Sequence, residues 1–197
     1  MNNNVLKKEI SLILFIFSIG SFAEPVLNKE LKLNISSTSK ITFTLNKTMA
    51  GFESSMSGMI QEISGNINMP SKTLNIFIPI KEANFKLIGK FSYANERMHE
   101  VYMESGKFPT AIYEAKIISY NAETNEAKTS GKMTIHGSSK YNFEIKGLLT
   151  KSGDGYLFTS NFEINLNDFN ITVPDIKLAT VSPAVKLNAA IEMKEVK

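Results

Sequence analysis

Two histidines, His99 and His136, are the only imidazoles in this 197-residue chain. They bound its acid–base and metal chemistry, because imidazole is the side chain whose ordinary pKa lies nearest neutrality. There is no cysteine, so a metal site would need carboxylates converging with these histidines to reach three or four ligands. His99-Glu100 is followed by Val-Tyr-Met103, and Met103 stands where the second His of a helical zinc-protease motif would fall. Ser138 and Ser139 adjoin His136, but adjacency on a turn is not a nucleophile, base and orienter in line. Glu144, Glu163 and Glu192 occupy the polar positions of alternating segments, where carboxylates keep a strand soluble. The chain therefore reads as a non-enzyme with no metal and no resident cofactor. His99 and His136 are expected to make structural hydrogen bonds, with contact to a ligand's polar end as the secondary role.

The segments that must position these residues are strands. Lys140–Lys146 alternates, with Tyr141, Phe143 and Ile145 against Lys140, Asn142, Glu144 and Lys146. After a turn at Ser152-Gly-Asp-Gly155 the apolar set resumes as Tyr156, Phe158, Phe162, Ile164 and Leu166, interrupted by Ser160. A period of two with one apolar face marks antiparallel strands that shelter something on one side. Ile41, Phe43 and Leu45 repeat the pattern, as do Leu74, Ile76, Ile78 and Ile80, with Pro79 at a strand end because it cannot donate to a ladder. Thr110–Tyr120 and Glu126–Ile135 read as strands around the loop Asn121–Asn125, and Ala184–Lys194 as a last strand that closes on the first. Met49–Met69, with Gly51, Gly58 and Gly65, predicts curved or bulged strands. One helix is expected over Asn95–Ser105, capped by Asn95 and ended by Gly106, with Met98, Val101 and Tyr102 at helical spacing.

The first residues read as a leader: Lys7 and Lys8, then the apolar run Ile10–Phe17, then Ser21-Phe-Ala23 with small residues at the −3 and −1 positions. Such a run is too short to span a bilayer. Cleavage after Ala23 is expected, leaving residues 24–197 as one domain of 174 residues, exported to the periplasm or beyond it, and shifting the formal charge from +3 to +2. A charge so near zero, with lysines interleaved among Glu, Asn and Thr, argues against nucleic acid as a partner. No later segment reaches membrane-spanning length.

These residues resemble the YceI-like proteins of the bacterial periplasm. Arg97-Met-His-Glu, followed by Ser105-Gly-Lys-Phe-Pro109-Thr-Ala-Ile-Tyr113, is similar to that family's Arg-Asp-x-His-Leu segment and the strand after it. Gly131-Lys-Met-Thr-Ile-His-Gly-Ser-Ser-Lys140 resembles the Gly-x-Leu-Thr-x-His-Gly-x-Thr-Lys hairpin, the most specific match. Glu163-Ile-Asn-Leu-Asn-Asp-Phe-Asn-Ile171 resembles the Ile-Asn-Arg-x-Asp-Phe-Gly-Ile strand. Met98 replaces the motif's Asp, Glu100 its Leu, Ser139 the hairpin Thr, Leu166 the Arg and Asn170 the Gly. The resemblance implies an extended lipocalin-like barrel whose lumen binds an amphiphile with a long polyisoprenoid tail.

The fold expected is all-β: an extended eight-stranded antiparallel barrel with one short helix lidding an end. Eight strands leave an interior that either fills with side chains or holds one small ligand. The expected lumen lining is Phe43, Leu45, Leu74, Ile76, Ile78, Met133, Ile135, Phe143, Ile145, Phe158, Phe162, Ile164, Val185 and Leu187, with Met98, Val101 and Tyr102 on the lid. Such a lumen would suit an isoprenoid quinone, a polyprenyl phosphate or a fatty amphiphile, and a homodimer is compatible with the sequence. The competing reading is a filled barrel serving as a protein-interaction or stress-response module.

Overall fold

The computed structural model describes residues 32–85, 92–176 and 179–196. Expectations about the leader, residues 1–23, lie outside these residues.

Twelve strands are present: β1 (Lys32–Ile35), β2 (Lys40–Met49), β3 (Phe52–Ile60), β4 (Ser64–Asn68), β5 (Thr73–Pro79), β6 (Asn84–Phe85), β7 (Thr110–Tyr120), β8 (Glu126–Ile135), β9 (Ser138–Ser152), β10 (Gly155–Asn165), β11 (Asp175–Ile176) and β12 (Ala179–Glu195). Three pairs of short strands act as single long ones broken by a bend. β1 and β2 both pair with β12, and their partners on the next hairpin are β4 and β3 respectively. β5 pairs with β4 while β6 pairs with β3. Counted this way, the wall has eight long strands in meander order, and β12 returns to β1 and β2 to seal it. Closure through β12 pairs most of the wall, while the Phe52–Ser57 stretch of β3 has β2 as its one strand neighbour among the described residues.

Alternation decides what faces inward. On β12, Val185, Ala189, Ile191 and Met193 are buried while Lys186 and Glu192 are exposed. On the facing stretch of β10, Tyr156, Ser160 and Ile164 are buried, and the Ser160 hydroxyl donates to the Lys146 carbonyl at 2.5 Å, which satisfies its polar atom inside the wall. Two glycines make the inner face fit. An added Cβ at Gly58 would lie 2.2 Å from the Phe43 ring, and one at Gly147 would lie 2.6 Å from the Phe158 ring. Each ring thus occupies space that a side chain at the glycine would need.

The expected face of one strand is corrected by a bulge. Gly131 opposes Phe143, but Met133 opposes Lys140, so β9 carries one extra residue. Asn142 takes it up at φ +54°. An extra residue reverses the alternation beyond it, and Tyr141, expected beside Phe143 and Ile145, is 71 % exposed.

The helix also differs from expectation. α1 (Ser92–Arg97) starts three residues earlier and runs into a wide turn over Met98–Tyr102, closed by Met103 N–H donating to the Met98 carbonyl at 2.8 Å. Asn95 does not cap it; its side-chain oxygen accepts from the Phe85 N–H at 2.8 Å and ties the helix to the barrel rim. An i to i+5 closure widens the turn relative to α-helical spacing. That rotation leaves Met98 and Tyr102 packed against the core and Val101 45 % exposed.

Candidate functional site

The barrel interior divides into two lobes. The outer lobe, of about 460 Å³, lies beneath α1 and the wide turn, and is walled by β2, β3, β10 and β12 with the loop that follows β10. The inner lobe holds only about 80 Å³ and lies toward the opposite end, among side chains such as Leu74, Ile145, Leu149 and Met193. Ile41, Ile78 and Phe162 border both, so they form the waist between the lobes. An aromatic series thickens that waist. Tyr113 meets Phe143 edge-on at 6.3 Å between ring centroids, and Phe143 meets Phe162 edge-on at 6.2 Å.

Of the residues expected to line a lumen, Phe43, Leu45, Ile135, Ile164, Val185 and Leu187 lie on the outer lobe with Met98 and Tyr102 from the lid. Leu74, Ile76, Ile145 and Phe158 lie on the inner one. Three do not border either lobe. Val101 points to the outside for the reason given above. Met133, 3 % exposed, sits opposite Tyr113 in the packed interior, and Phe143 packs between Tyr113 and Phe162. Sequence reasoning missed Met56, Ile60, Ala83 and Phe85 on the outer lobe. The stretch Phe52-Glu-Ser-Ser-Met-Ser-Gly-Met-Ile60 carries small residues where an apolar alternation would show, so its inward face was hidden.

Among the described residues one charged side chain lines the outer lobe. Arg97, the only arginine of the chain, lines the rim with Tyr93 and Tyr102, and no Asp, Glu or Lys among the described residues lines this lobe. The guanidinium carbon lies 5.7 Å from the Tyr102 ring centroid and 6.0 Å from that of Tyr93. The Tyr102 phenol, and then that of Tyr93, raise the Arg97 pKa above its ordinary value, and the side chain is exposed at the rim. No carboxylate among the described residues forms an ion pair with it.

Both histidines lie outside the lobes. His99 Nδ1 is 3.2 Å from the Ser105 hydroxyl. His136 and Gly137 form the two-residue turn between β8 and β9, with φ of +52° and +72°, the signs a tight primed hairpin turn requires. The His136 ring packs edge-on against Phe108 at 4.5 Å and its Nε2 meets Glu104 Oε2 at 2.8 Å. The same hairpin reaches the other side: Asn170 Nδ2 donates to the Ser138 hydroxyl at 2.8 Å, and Lys140 pairs with Asp168. The three motif stretches quoted from the sequence therefore meet at one turn, which fastens the lid loop and the loop after β10 to the wall. No group of three or more His, Asp and Glu able to hold a metal occurs among the described residues.

A closed antiparallel barrel with an apolar cavity under a short helical lid defines a lipocalin-like class of binding fold. The chain belongs to the YceI-like family: the YceI-like domain matches residues 34–193. Solved structures share the fold. A polyisoprenoid-binding domain from Saccharophagus degradans implicated in plant cell wall breakdown superposes with a TM-score of 0.64 at 10 % identity, over 84 % of this chain and 99 % of that one. Burkholderia cenocepacia BcnA gives 0.59 at 16 % identity, over 78 % and 95 %. A mutant CJ YceI protein gives 0.50 at 18 % identity, over 71 % and 84 %. No curated protein matches the sequence.

Departures from the family's motifs bear on the cavity. Met98 and Leu166, which replace a carboxylate and a guanidinium, both line the outer lobe. Asn170, which replaces a glycine, adopts φ 57° and ψ 30°. Asn is among the few residues that enter the left-handed region readily, so this exchange keeps the backbone while the other two make the cavity more apolar.

Proposed function

We propose that this protein binds and carries an amphiphilic lipid, of isoprenoid or fatty type, in the apolar lumen of its barrel, and does so in the periplasm. The observation that carries the reading is the outer lobe: about 460 Å³ of interior space, almost wholly apolar in lining and roofed by a helix. Its volume falls within the range of ligand pockets, roughly 300–1,000 Å³. A hydrocarbon gains about 0.8 kcal/mol per buried CH₂. Fifteen methylenes thus supply about 12 kcal/mol, and about 4 kcal/mol of association cost, the low end suited to a pre-formed site, leaves about 8 kcal/mol, near the micromolar level. The closed wall and the fastened lid loops provide that pre-formation. The polyisoprenoid named for the Saccharophagus degradans domain supports the ligand class, and the basic, apolar and small-residue succession of residues 7–23 supports export.

Organic extraction and native mass spectrometry of protein purified from its own source test this reading. The expected result is a stoichiometric lipid on a chain whose mass begins at Glu24. A protein that is repeatedly empty, and that takes up no quinone, prenyl or fatty probe, overturns it.

A further inference from the structure

We infer that the ligand is a single-tailed anionic amphiphile of moderate length, its head at Arg97 and its tail ending at the waist formed by Ile41, Ile78 and Phe162. This rests on the carrier reading and narrows it in two independent respects.

The first is charge. An ionised head buried among apolar side chains is costly unless a partner is supplied. The outer lobe offers that partner at its exposed rim, where the planar guanidinium of Arg97 suits carboxylate and phosphate oxygens and the head keeps contact with water. Arg97 has rim tyrosines beside it and no carboxylate ion-paired to it among the described residues. Met98 and Leu166 at the same lobe offer nothing to a head of either sign. An anionic head is therefore favoured, a neutral one tolerated and a cationic one disfavoured.

The second is length. The outer lobe, about 460 Å³, falls in the range of pockets that hold one small ligand, roughly 300–1,000 Å³, which suits a single tail of moderate length. Beyond the waist the inner lobe offers only about 80 Å³. Phe158 packs onto Gly147 at this end, beside Leu74, Ile145, Leu149 and Met193. A long polyprenyl tail would have to displace the Tyr113–Phe143–Phe162 series, and interiors packed this densely resist such shifts.

The test measures affinities of hexadecanoate, hexadecanol, hexadecylamine, farnesyl phosphate, farnesol and an octaprenyl phosphate, each below its micellar concentration, by calorimetry on delipidated protein. The two acids are expected to bind about tenfold or more tightly than their alcohols, and the amine most weakly. Arg97→Gln is expected to reduce the acid–alcohol difference to about twofold or less, and Arg97→Lys to restore most of it. Comparing hexadecanoate with farnesyl phosphate tells a carboxylate head from a phosphate one. Octaprenyl phosphate is expected to bind no more tightly than farnesyl phosphate, and Ile78→Ala or Phe162→Ala to favour the longer chain; two variants are named in case one does not fold. Equal affinities for acid and alcohol, or an unchanged preference in Arg97→Gln, overturn the head assignment. Tighter binding of octaprenyl phosphate to the unaltered protein overturns the length limit. Both failures leave the carrier reading standing, whereas no binding by any probe removes it as well.

Discussion

Replacing Ala83 by leucine separates a lumen with room from a core without it. Ala83 is 5 % exposed and lines the outer lobe, at φ −69° and ψ 124°, a backbone that accepts leucine without strain. Leucine adds three carbons, worth about 2.4 kcal/mol at ~0.8 kcal/mol per carbon buried, less ~0.5–1 kcal/mol for the rotamers it gives up. In a cavity of about 460 Å³ the net is a stabilisation of about 1–2 kcal/mol. In a full core the same change overpacks and costs about 1–3 kcal/mol. The two outcomes differ in sign. Urea denaturation of delipidated protein reads the difference as a change in midpoint at constant slope, and a thermal scan reads it as a rise of about 2–6 °C for a domain of this size. The variant is also expected to weaken lipid binding, because the added side chain occupies tail space. A lower midpoint with an unchanged slope would refute the reasoning, since it would mean that the space beside Ala83 is not there to be filled.

Four further variants follow from the same geometry. The buried Tyr113 hydroxyl lies 2.9 Å from the Thr129 hydroxyl and donates to the Phe143 carbonyl at 3.0 Å, so Tyr113→Phe is expected to cost about 1–2 kcal/mol at neutral pH by denaturant titration. Burial raises the Tyr113 pKa, partly offset by the Thr129 hydrogen bond. The stability it contributes is complete below the free phenol value near pH 10 and is lost as pH rises through the folded value, so the gap between parent and variant should narrow above about pH 10. An added Cβ at Gly131 would lie 2.1 Å from the Glu114 carbonyl oxygen and 2.4 Å from the Ala115 Cα, both backbone; Gly131→Ala is expected to cost about 3 kcal/mol. Gly106→Ala, with nothing within 4 Å, should stay within about 0.5 kcal/mol by the same titration. Glu104→Ala removes the tie to His136 and is expected to speed amide hydrogen exchange over residues 103–109 while changing global stability by about 1 kcal/mol or less.

Strand positions were legible wherever one face is wet and the other apolar. Thr110–Tyr120 and Glu126–Ile135 form strands with the bounds the alternation implies, and Pro79 ends β5 as its missing N–H requires. The eight-strand closure could be expected but not proved, because pairing between β12 and the two short strands β1 and β2 depends on contacts far apart in sequence. Tyr141 was misplaced because a bulge leaves no mark in the apolar pattern; the only local signal is Asn142, a residue able to hold φ +54°. Val101 went astray because helical spacing assumes an α turn, and the chain makes a wider one at Met98–Tyr102. The cavity itself was illegible. Apolar side chains that fill a barrel and those that border a void have the same periodicity, and the difference lies in how far Phe162 and Phe143 reach across the interior. The histidines illustrate the converse. The His136 motif marks a hairpin whose turn ties the loop carrying Glu104 and Phe108 to the wall.

The most direct measurement is a crystal structure of the protein purified from its own source without delipidation. The account predicts continuous density for one amphiphile in the outer lobe, its tail stopping at Ile41, Ile78 and Phe162 and its polar end beside Arg97 under the turn of Met98–Tyr102. An outer lobe closed by inward movement of the helix and its own apolar side chains, with no space for a hydrocarbon, would contradict it.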